Sequence, residues 1–374
     1  MQPSAPETAT KGTATGRHEV IVVGGGQAGL AIGYFLAQQG RDFKILEAEP
    51  EPAAAWRQRW DSLKLFTPVR HSSLPGFAFP GDPGSYPTRD HVVEYLTDYA
   101  RHFDLPVELN SRVRSLRRTD GAYLIETDDR SYEADQVVVA TGPFQAPFVP
   151  AIADQLARGV VQLHSTSYRA PADIPQGRVL VVGGGNTGFQ IAEELSASRE
   201  VHLAIGSRQT PLPQRILGRD IFWYLDATGL IRKPRESRVG RRLEGRDTLI
   251  GSRPRKLRRR HGVALHPRAV GASGSTVTFD DGASVEFEAV IWATGFRPDH
   301  SWIDAEIFDD RGRVAHSRGV TAAPGLYLLG LSWQHTRGSA LIGWVGDDAR
   351  YVAEQINAFQ SQTSEATAVP QPVA

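Results

Sequence analysis

The stretch His18-Glu-Val-Ile-Val-Val-Gly24-Gly25-Gly26-Gln27-Ala28-Gly29 decides the fold. Its first half is an unbroken apolar run of the kind buried on both faces of a parallel sheet. Its second half is a glycine turn, and a helical run, Leu30 to Gln39, follows it. A second apolar strand, Phe43 to Leu46, then ends on Glu47. Strand, G-x-G-x-x-G, helix, strand and acid in this order form the dinucleotide-binding fingerprint. Gly24 permits the tight turn, Gly26 lets a pyrophosphate approach the backbone, and Gly29 lets helix and strand pack closely. Gln27 and Ala28 fill the two positions between, where the first N–H groups of the helix face the phosphate charge. Glu47 stands where an acid would bind the ribose of an unphosphorylated adenosine. An exposed acid at a strand end would look the same in sequence.

The same plan returns at Arg178-Val-Leu-Val-Val182, followed by Gly183-Gly184-Gly185-Asn186-Thr187-Gly188 and a helix from Phe189 to Ala197. Each copy continues to an Ala-Thr-Gly element, with Thr141 and Gly142 in the first and Thr294 and Gly295 in the second. From the first glycine to that last one the spacing is 118 residues (24 to 142) and 112 residues (183 to 295). Two copies of one design predict an α/β chain with two Rossmann-like dinucleotide-binding domains, each a three-layer arrangement about a sheet. The late apolar strand Gly325 to Gly330 and a helix from Gly346 to Phe359 are expected to return to the first domain. That domain would then be discontinuous: 17–168 and 300–360, with the second at 169–299. The segments 1–16 and 361–374 read as disordered tails.

The copies differ where Glu47 stands. Its counterpart, 159 residues on, is Gly206, with Ser207 and Arg208 beside it. A hydroxyl and a guanidinium in place of a carboxylate suit a 2′-phosphate. The pair of cofactors expected is therefore FAD in the first copy and NADPH in the second. Arg208 would otherwise be a solvent-facing residue at a strand end.

Composition narrows the chemistry. The chain has 374 residues, no cysteine and zero formal net charge. Disulfides, thiolate metal sites and redox-active cysteine pairs are excluded, and no metal-ligand cluster stands out. Zero net charge argues against nucleic acid or a membrane as partner, and the most apolar helical run is too short to span a bilayer. The expected location is the cytoplasm, and the expected partners are a small-molecule substrate and O₂, with a homodimer left open. The Arg-rich run 232–260 is either an anion-binding patch or a solvated insertion, and the balanced charge favours the latter.

The segment after Glu47 reads Ala55-Trp56-Arg57-Gln-Arg-Trp60-Asp-Ser-Leu63-Lys-Leu65-Phe66-Thr67-Pro68, with Leu74-Pro75-Gly76 soon after. It resembles the flavin-containing (class B) monooxygenases, including their short bacterial and plant YUCCA-type members. His164-Ser-Thr-Ser-Tyr168 resembles the second half of that family's linker motif, whose Phe and Gly are replaced here by Arg158 and Val160. Gly183 to Gly188, Ala293-Thr-Gly-Phe-Arg-Pro298 and Trp333-Gln334-His335-Thr336-Arg337-Gly338-Ser339-Ala340 resemble further family elements. Together these cover roughly residues 18 to 360. The resemblance implies that NADPH reduces FAD, that O₂ adds at flavin C4a, and that one oxygen passes to a soft nucleophile or a carbonyl compound. The alternatives are a reductase serving a protein or quinone and a nucleotide-sensing flavoprotein. The resemblance places Trp56, Arg57, Thr67 and Gln334 at the flavin ring and counts Val113 among the FAD contacts. It names no catalytic side chain. Trp56 and Trp60, four apart, could instead be a helical core pair. The substrate pocket is expected from residues 65 to 90 and 215 to 250. Phe66, Phe77, Phe79, Phe222, Trp223 and Tyr224 are its candidate walls, each equally readable as core.

Overall fold

A computed structural model describes residues 16–244 and 248–368, and of 362–368 the backbone alone. Most of the two expected tails, 1–15 and 369–374, lies outside the described residues. Two parallel sheets organise the rest. In the first, the strand Gly16–Val23 lies between Phe43–Leu46 and Ser131–Val139, parallel to both. Alternate residues of Gly16–Val23 serve two cores. Val20 and Val22 join the cluster under the helices, and Ile21 and Val23 join the cluster on the opposite face. That is the period of a strand buried on both sides.

The helical layer of this sheet holds Gln27–Gln38, Arg89–His102 and the long helix Ile342–Ala368. The other layer is the antiparallel meander Val113–Thr119, Ala122–Thr127 and the start of Ser131–Val139. The late strand Leu326–Leu328 pairs in parallel with residues 137–139, so the first domain is discontinuous, as expected. Its helix, however, starts at Ile342 and runs on to Ala368, past the expected boundary at 360.

The second sheet has five parallel strands in the order Ala264–His266, Glu200–Ala204, Arg178–Val182, Ala289–Trp292 and Val161–His164. Again one strand feeds two cores, Val179 and Val181 to one side, Leu180 and Val182 to the other. A three-stranded antiparallel meander, residues 269–286, covers the second face. The strand Val161–His164 belongs to this sheet, although the sequence reading assigned residues up to 168 to the first domain. The Arg-rich run folds into short pieces of this second domain, including the helices Arg238–Glu244 and Pro254–His261.

The two sheets are joined where the Ala-Thr-Gly elements leave them. Residues 146–147 and 296–297 form a short antiparallel pair, Phe296 opposite Pro147 and Arg297 opposite Ala146. Phe148 N donates to Gly295 O at 2.9 Å beside it. No helix of the described residues is long and apolar enough to cross a membrane.

Candidate functional site

Each glycine turn is built by the same steric rule. Gly24 has φ +110°, and a Cβ on it would come 2.7 Å from Ala140 O. Gly183 has φ +135° and would run into Ala293 O. A Cβ on Gly29 would strike Gly24 O, and one on Gly188 would strike Gly183 O. These four positions admit only glycine without moving backbone. Gly26 and Gly185 are different, because a Cβ there would meet nothing within 4 Å. The space is left over the helix start. Neither helix carries a side-chain cap or an acid in its first turn, so its N–H groups keep their capacity for an anion. The turns fit the pyrophosphates of two dinucleotides.

The end of each second strand distinguishes the copies. Glu47 Oε2 accepts from Gly25 N at 2.8 Å and Oε1 accepts from Glu49 N at 3.1 Å. Burial holds its carboxyl above the ordinary value, opposed by those amides. Ser111 N donates to Glu47 O at 2.8 Å, which brings the segment leading to Val113 alongside the acid. In the second copy the corresponding space over the middle glycine is taken by Gln209. A Cβ on Gly184 would meet its Nε2, just as one on Gly25 would meet Glu47 Oε2 at 2.9 Å. Gln209 Nε2 also donates to Ser207 Oγ at 3.3 Å. Ser207 and Arg208 are exposed beside it, and Arg268 Nη2 donates to Gly206 O at 2.8 Å. Gln209 and Arg268 were missed in the sequence. Gln209 falls three residues beyond the aligned position, and Arg268 arrives from a later strand end.

Several candidate residues turn out to hold the protein to itself. Asn186 Nδ2 donates to Thr248 O at 3.0 Å, and its Oδ1 accepts from Ile250 N at 2.9 Å. Its amide therefore ties the second helix start to the strand Thr248–Ile250. Thr187 stands next to it, half-buried. Gln334 is buried, with Nε2 donating to Leu328 O at 3.0 Å and Oε1 accepting from Leu331 N at 3.2 Å. It shapes the loop expected beside a flavin. Arg57 is half exposed and pairs with Glu51 at 2.7 Å. Thr67 is buried, with Oγ1 accepting from Ser72 Oγ at 3.2 Å. Thr141 Oγ1 accepts from Gln145 Nε2 at 2.6 Å, Thr294 Oγ1 donates to Phe148 O, and Gly142 and Gly295 take φ of +72° and +82°.

Trp56 is tied to the first glycine turn. Its Nε1 donates to Gln27 Oε1 at 2.8 Å, and Gln27 Nε2 donates to Ala340 O at 3.2 Å. The first phosphate turn, the Trp56 segment and the late loop are thus one hydrogen-bonded unit beside Ala28. Trp56 packs against both main cores, one from each domain, whereas Trp60 is buried in the second core. The four-residue helix Ala54–Arg57 ends before Trp60, so the two are not a helical pair.

At the domain junction His164 is buried. Its Nε2 donates to Gly295 O at 3.1 Å while Nδ1 faces Thr166 Oγ1 at 3.0 Å. Burial lowers its pKa, so the neutral ring with the proton on Nε2 is the form that fits. Tyr168 is fully buried and donates to Glu194 Oε2 at 2.8 Å. Arg59 lies over the rings of Phe144 and Phe296, 5.1 Å and 5.3 Å from their centres.

The expected substrate segments do meet. Gln214 Nε2 donates to Phe66 O at 2.8 Å, and Tyr86 Oη donates to Asp220 Oδ2 at 2.5 Å. Phe66 stacks on Phe222 at 5.9 Å, and Phe222 meets Trp344 at 5.8 Å. These rings form an apolar cluster with Ile231 and Ile250. Phe77 and Phe79 are not part of it. They pack on Tyr95 within the first domain's core, Phe79 at 4.4 Å. Trp223 sits under Arg219 at 4.0 Å, and Tyr224 donates to Ile216 O at 3.0 Å. Trp344, which the sequence reading did not single out, enters from the start of the last helix.

Residues 21–214 match the model of a family described as pyridine nucleotide-disulphide oxidoreductase. The chain is 44% identical over 340 residues, 90% of its length and 98% of the relative's, to an uncharacterized oxidoreductase CzcO-like of Geobacillus kaustophilus (strain HTA426). It is 28% identical to the indole-3-pyruvate monooxygenase YUCCA6 of Arabidopsis thaliana, over 92% of this chain and 91% of that one. A solved flavin-containing monooxygenase from Stenotrophomonas maltophilia superposes with a TM-score of 0.77 at 33% identity, covering 92% of this chain and 99% of that chain.

Proposed function

The chain belongs to the pyridine nucleotide-disulphide oxidoreductase family and, within it, to the flavin monooxygenase-like oxidoreductases, and from that premise we propose an NADPH- and FAD-dependent monooxygenase of the C4a-hydroperoxyflavin type. The observation that carries the proposal is the pair of open helix starts at Gly26 and Gly185, one with Glu47 at its rim and the other with Gln209, Ser207 and Arg208. The disulphide chemistry in the family's name has no counterpart here, because the chain contains no cysteine. Reduced FAD would supply activation of O₂, and NADPH would supply the hydride.

The chain's own groups bind, orient and exclude water. Gly24, Gly26 and Gly29 would seat one pyrophosphate, and Gly183, Gly185 and Gly188 the other. Glu47 would accept from ribose hydroxyls, and a 2′-phosphate would sit against Ser207 and Arg208. Trp56, fixed by Gln27, would close one side of the space between them. The apolar cluster of Phe66, Phe222 and Trp344 would keep water from the reacting centre. The substrate would be a small soft nucleophile or a carbonyl compound. The test is a panel of amines, sulfides and 2-oxo acids incubated with the FAD-loaded protein, NADPH and isotopically labelled dioxygen. The proposal expects a product heavier by one labelled oxygen atom, formed with stoichiometric NADPH use. NADPH oxidation yielding only peroxide across the panel would overturn it.

A further inference from the structure

The segment Trp56 to Asp61 lies early in the chain, yet it is pinned from both domains. Arg59 O accepts from Arg89 Nη1 at 3.0 Å, at the start of the first domain's helix Arg89–His102. It also accepts from Arg169 Nη1 at 3.0 Å, just past the second domain's strand Val161–His164. Asp61 N donates to Arg169 O at 2.9 Å, and Trp60 is buried in the second core. The backbone at Arg59 is therefore a fixed mount between the two sheets.

The side chain on that mount meets rings and nothing else. Among the described residues the Arg59 guanidinium has no hydrogen-bond or ion-pair partner, and the nearby Asp61 pairs with Arg89 instead. Arg59 is half-buried, and burial, then the like charge of Arg169, hold its pKa below the ordinary value. A cation drawn out of water in this way is stabilised by the negative faces of aromatic rings. The two rings come from opposite sides of the hinge. Phe144 follows Gly142, where the chain leaves the first sheet, and Phe296 follows Gly295, where it leaves the second. Their centres lie 5.2 Å apart, so the cation and both rings form one contact. His164 lies edge-on to Phe296 at 5.2 Å, and its neutral form sets no second charge beside the guanidinium. Phe144 is 60% exposed, so burial in a core does not account for its ring.

We infer that Arg59 is a positioning residue: a cation clasped by Phe144 and Phe296 that sets the angle at which the two dinucleotide domains face each other. The angle is a property of the protein itself. Its consequence for hydride transfer rests on the proposed function, since transfer falls steeply when donor and acceptor are misplaced. The chain has no cysteine, so one spin label can be placed on each domain through Glu94→Cys and Ser198→Cys, both exposed. Their separation is read by pulsed electron spin resonance on FAD-loaded protein. With Arg59 present, one narrow distance distribution is expected. Arg59→Met, which keeps length and loses charge, should broaden or shift it, whereas Arg59→Lys should stay close to the original. In unlabelled protein, Arg59→Met should lower the limiting rate of flavin bleaching at saturating NADPH about 5- to 30-fold, with the NADPH Kd unchanged. Arg59→Lys should recover most of that rate. Phe144→Leu should reproduce Arg59→Met, and the two together should cost no more than either alone. An unchanged distance distribution in Arg59→Met overturns the inference, and so does Arg59→Met matching or exceeding Arg59→Lys, the mark of packing alone. Weaker FAD or NADPH binding at an unchanged limiting rate overturns it too, because the guanidinium would then belong to a cofactor's phosphates. Altered distances in a protein whose flavin NADPH never bleaches would count against the proposed function alone.

Discussion

In the first phosphate turn a carboxylate, Glu47, closes over Gly25; in the second an amide, Gln209, closes over Gly184. The glycines beneath are equivalent position by position, and so are the open spaces at Gly26 and Gly185. What differs is charge at the rim. A carboxylate held against backbone amides accepts from ribose hydroxyls and repels a phosphate. A neutral amide with Ser207 and Arg208 alongside does not. On the proposed assignment one scaffold would take two adenosines that differ by a phosphate group, with the distinction in the rim side chains, Glu47 against Ser207, Arg208 and Gln209, rather than in the turn.

The largest effect should come from adding one carbon to either turn. Gly29→Ala drives a Cβ into Gly24 O, and Gly188→Ala does the same to Gly183 O. Each should weaken its own dinucleotide by about 100-fold, given the ~1–3 kcal/mol typical of overpacking and the rigid backbone it strikes. Gly29→Ala should purify nearly colourless. Gly188→Ala should stay yellow but bleach slowly with NADPH. Matching losses of FAD in both variants would break the assignment of one cofactor to each turn.

A smaller change sharpens the comparison. Gln209→Glu restores to the second turn the charge of the first, and should raise the NADPH KM by about 10- to 50-fold while sparing NADH. Arg208→Ala should raise it by about tenfold in the same direction. Equal changes for NADH and NADPH would show that the rim does not read the phosphate.

The smallest effect is on stability. His164 is held neutral by burial, donating Nε2 to Gly295 O. His71, His266, His300 and His316 are likewise depressed by burial. The unfolded chain takes up those protons near pH ~6.5 and the folded one resists them to lower pH. Stability is therefore fully present above that value and falls as pH drops below it. Thermal melts across pH ~5 to ~8 should show this loss, and His164→Gln should reduce its slope by at most ~1.4 kcal/mol per pH unit. An unchanged slope would mean that His164 is protonated in the folded protein.

Both turns, their order and the discontinuous first domain were legible because each depends on local sterics. Glycine at 24, 29, 183 and 188 is forced by carbonyls a few residues or one strand away, and that requirement shows in the residue type itself. The rim of the second turn was only half legible. Gln209 reaches its place through a loop whose length no offset predicts, and Arg268 through a strand 60 residues later in the chain (268 against 208). Asn186 and Gln334 read as ligand contacts by resemblance, and in the structure their amides satisfy backbone at Thr248, Ile250, Leu328 and Leu331. Phe66 and Phe79 lie in one irregular segment with no period to separate them, and packing sends the first to the junction and the second to the core. Trp344 matters through contacts between domains, which a linear pattern does not encode.

The antiparallel pair at residues 146–147 and 296–297 is where the chain leaves the first sheet and where it comes back. One of its four residues is Pro147, which offers no N–H, so the ladder is held by few bonds. The junction does not rest on this pair alone, because Gln214 Nε2 donates to Phe66 O, Arg235 N donates to His335 O and Trp56 packs against both cores. A swing of one sheet past the other would have to break or carry those contacts, so the gap between the two glycine turns is set by side chains as much as by the double strand.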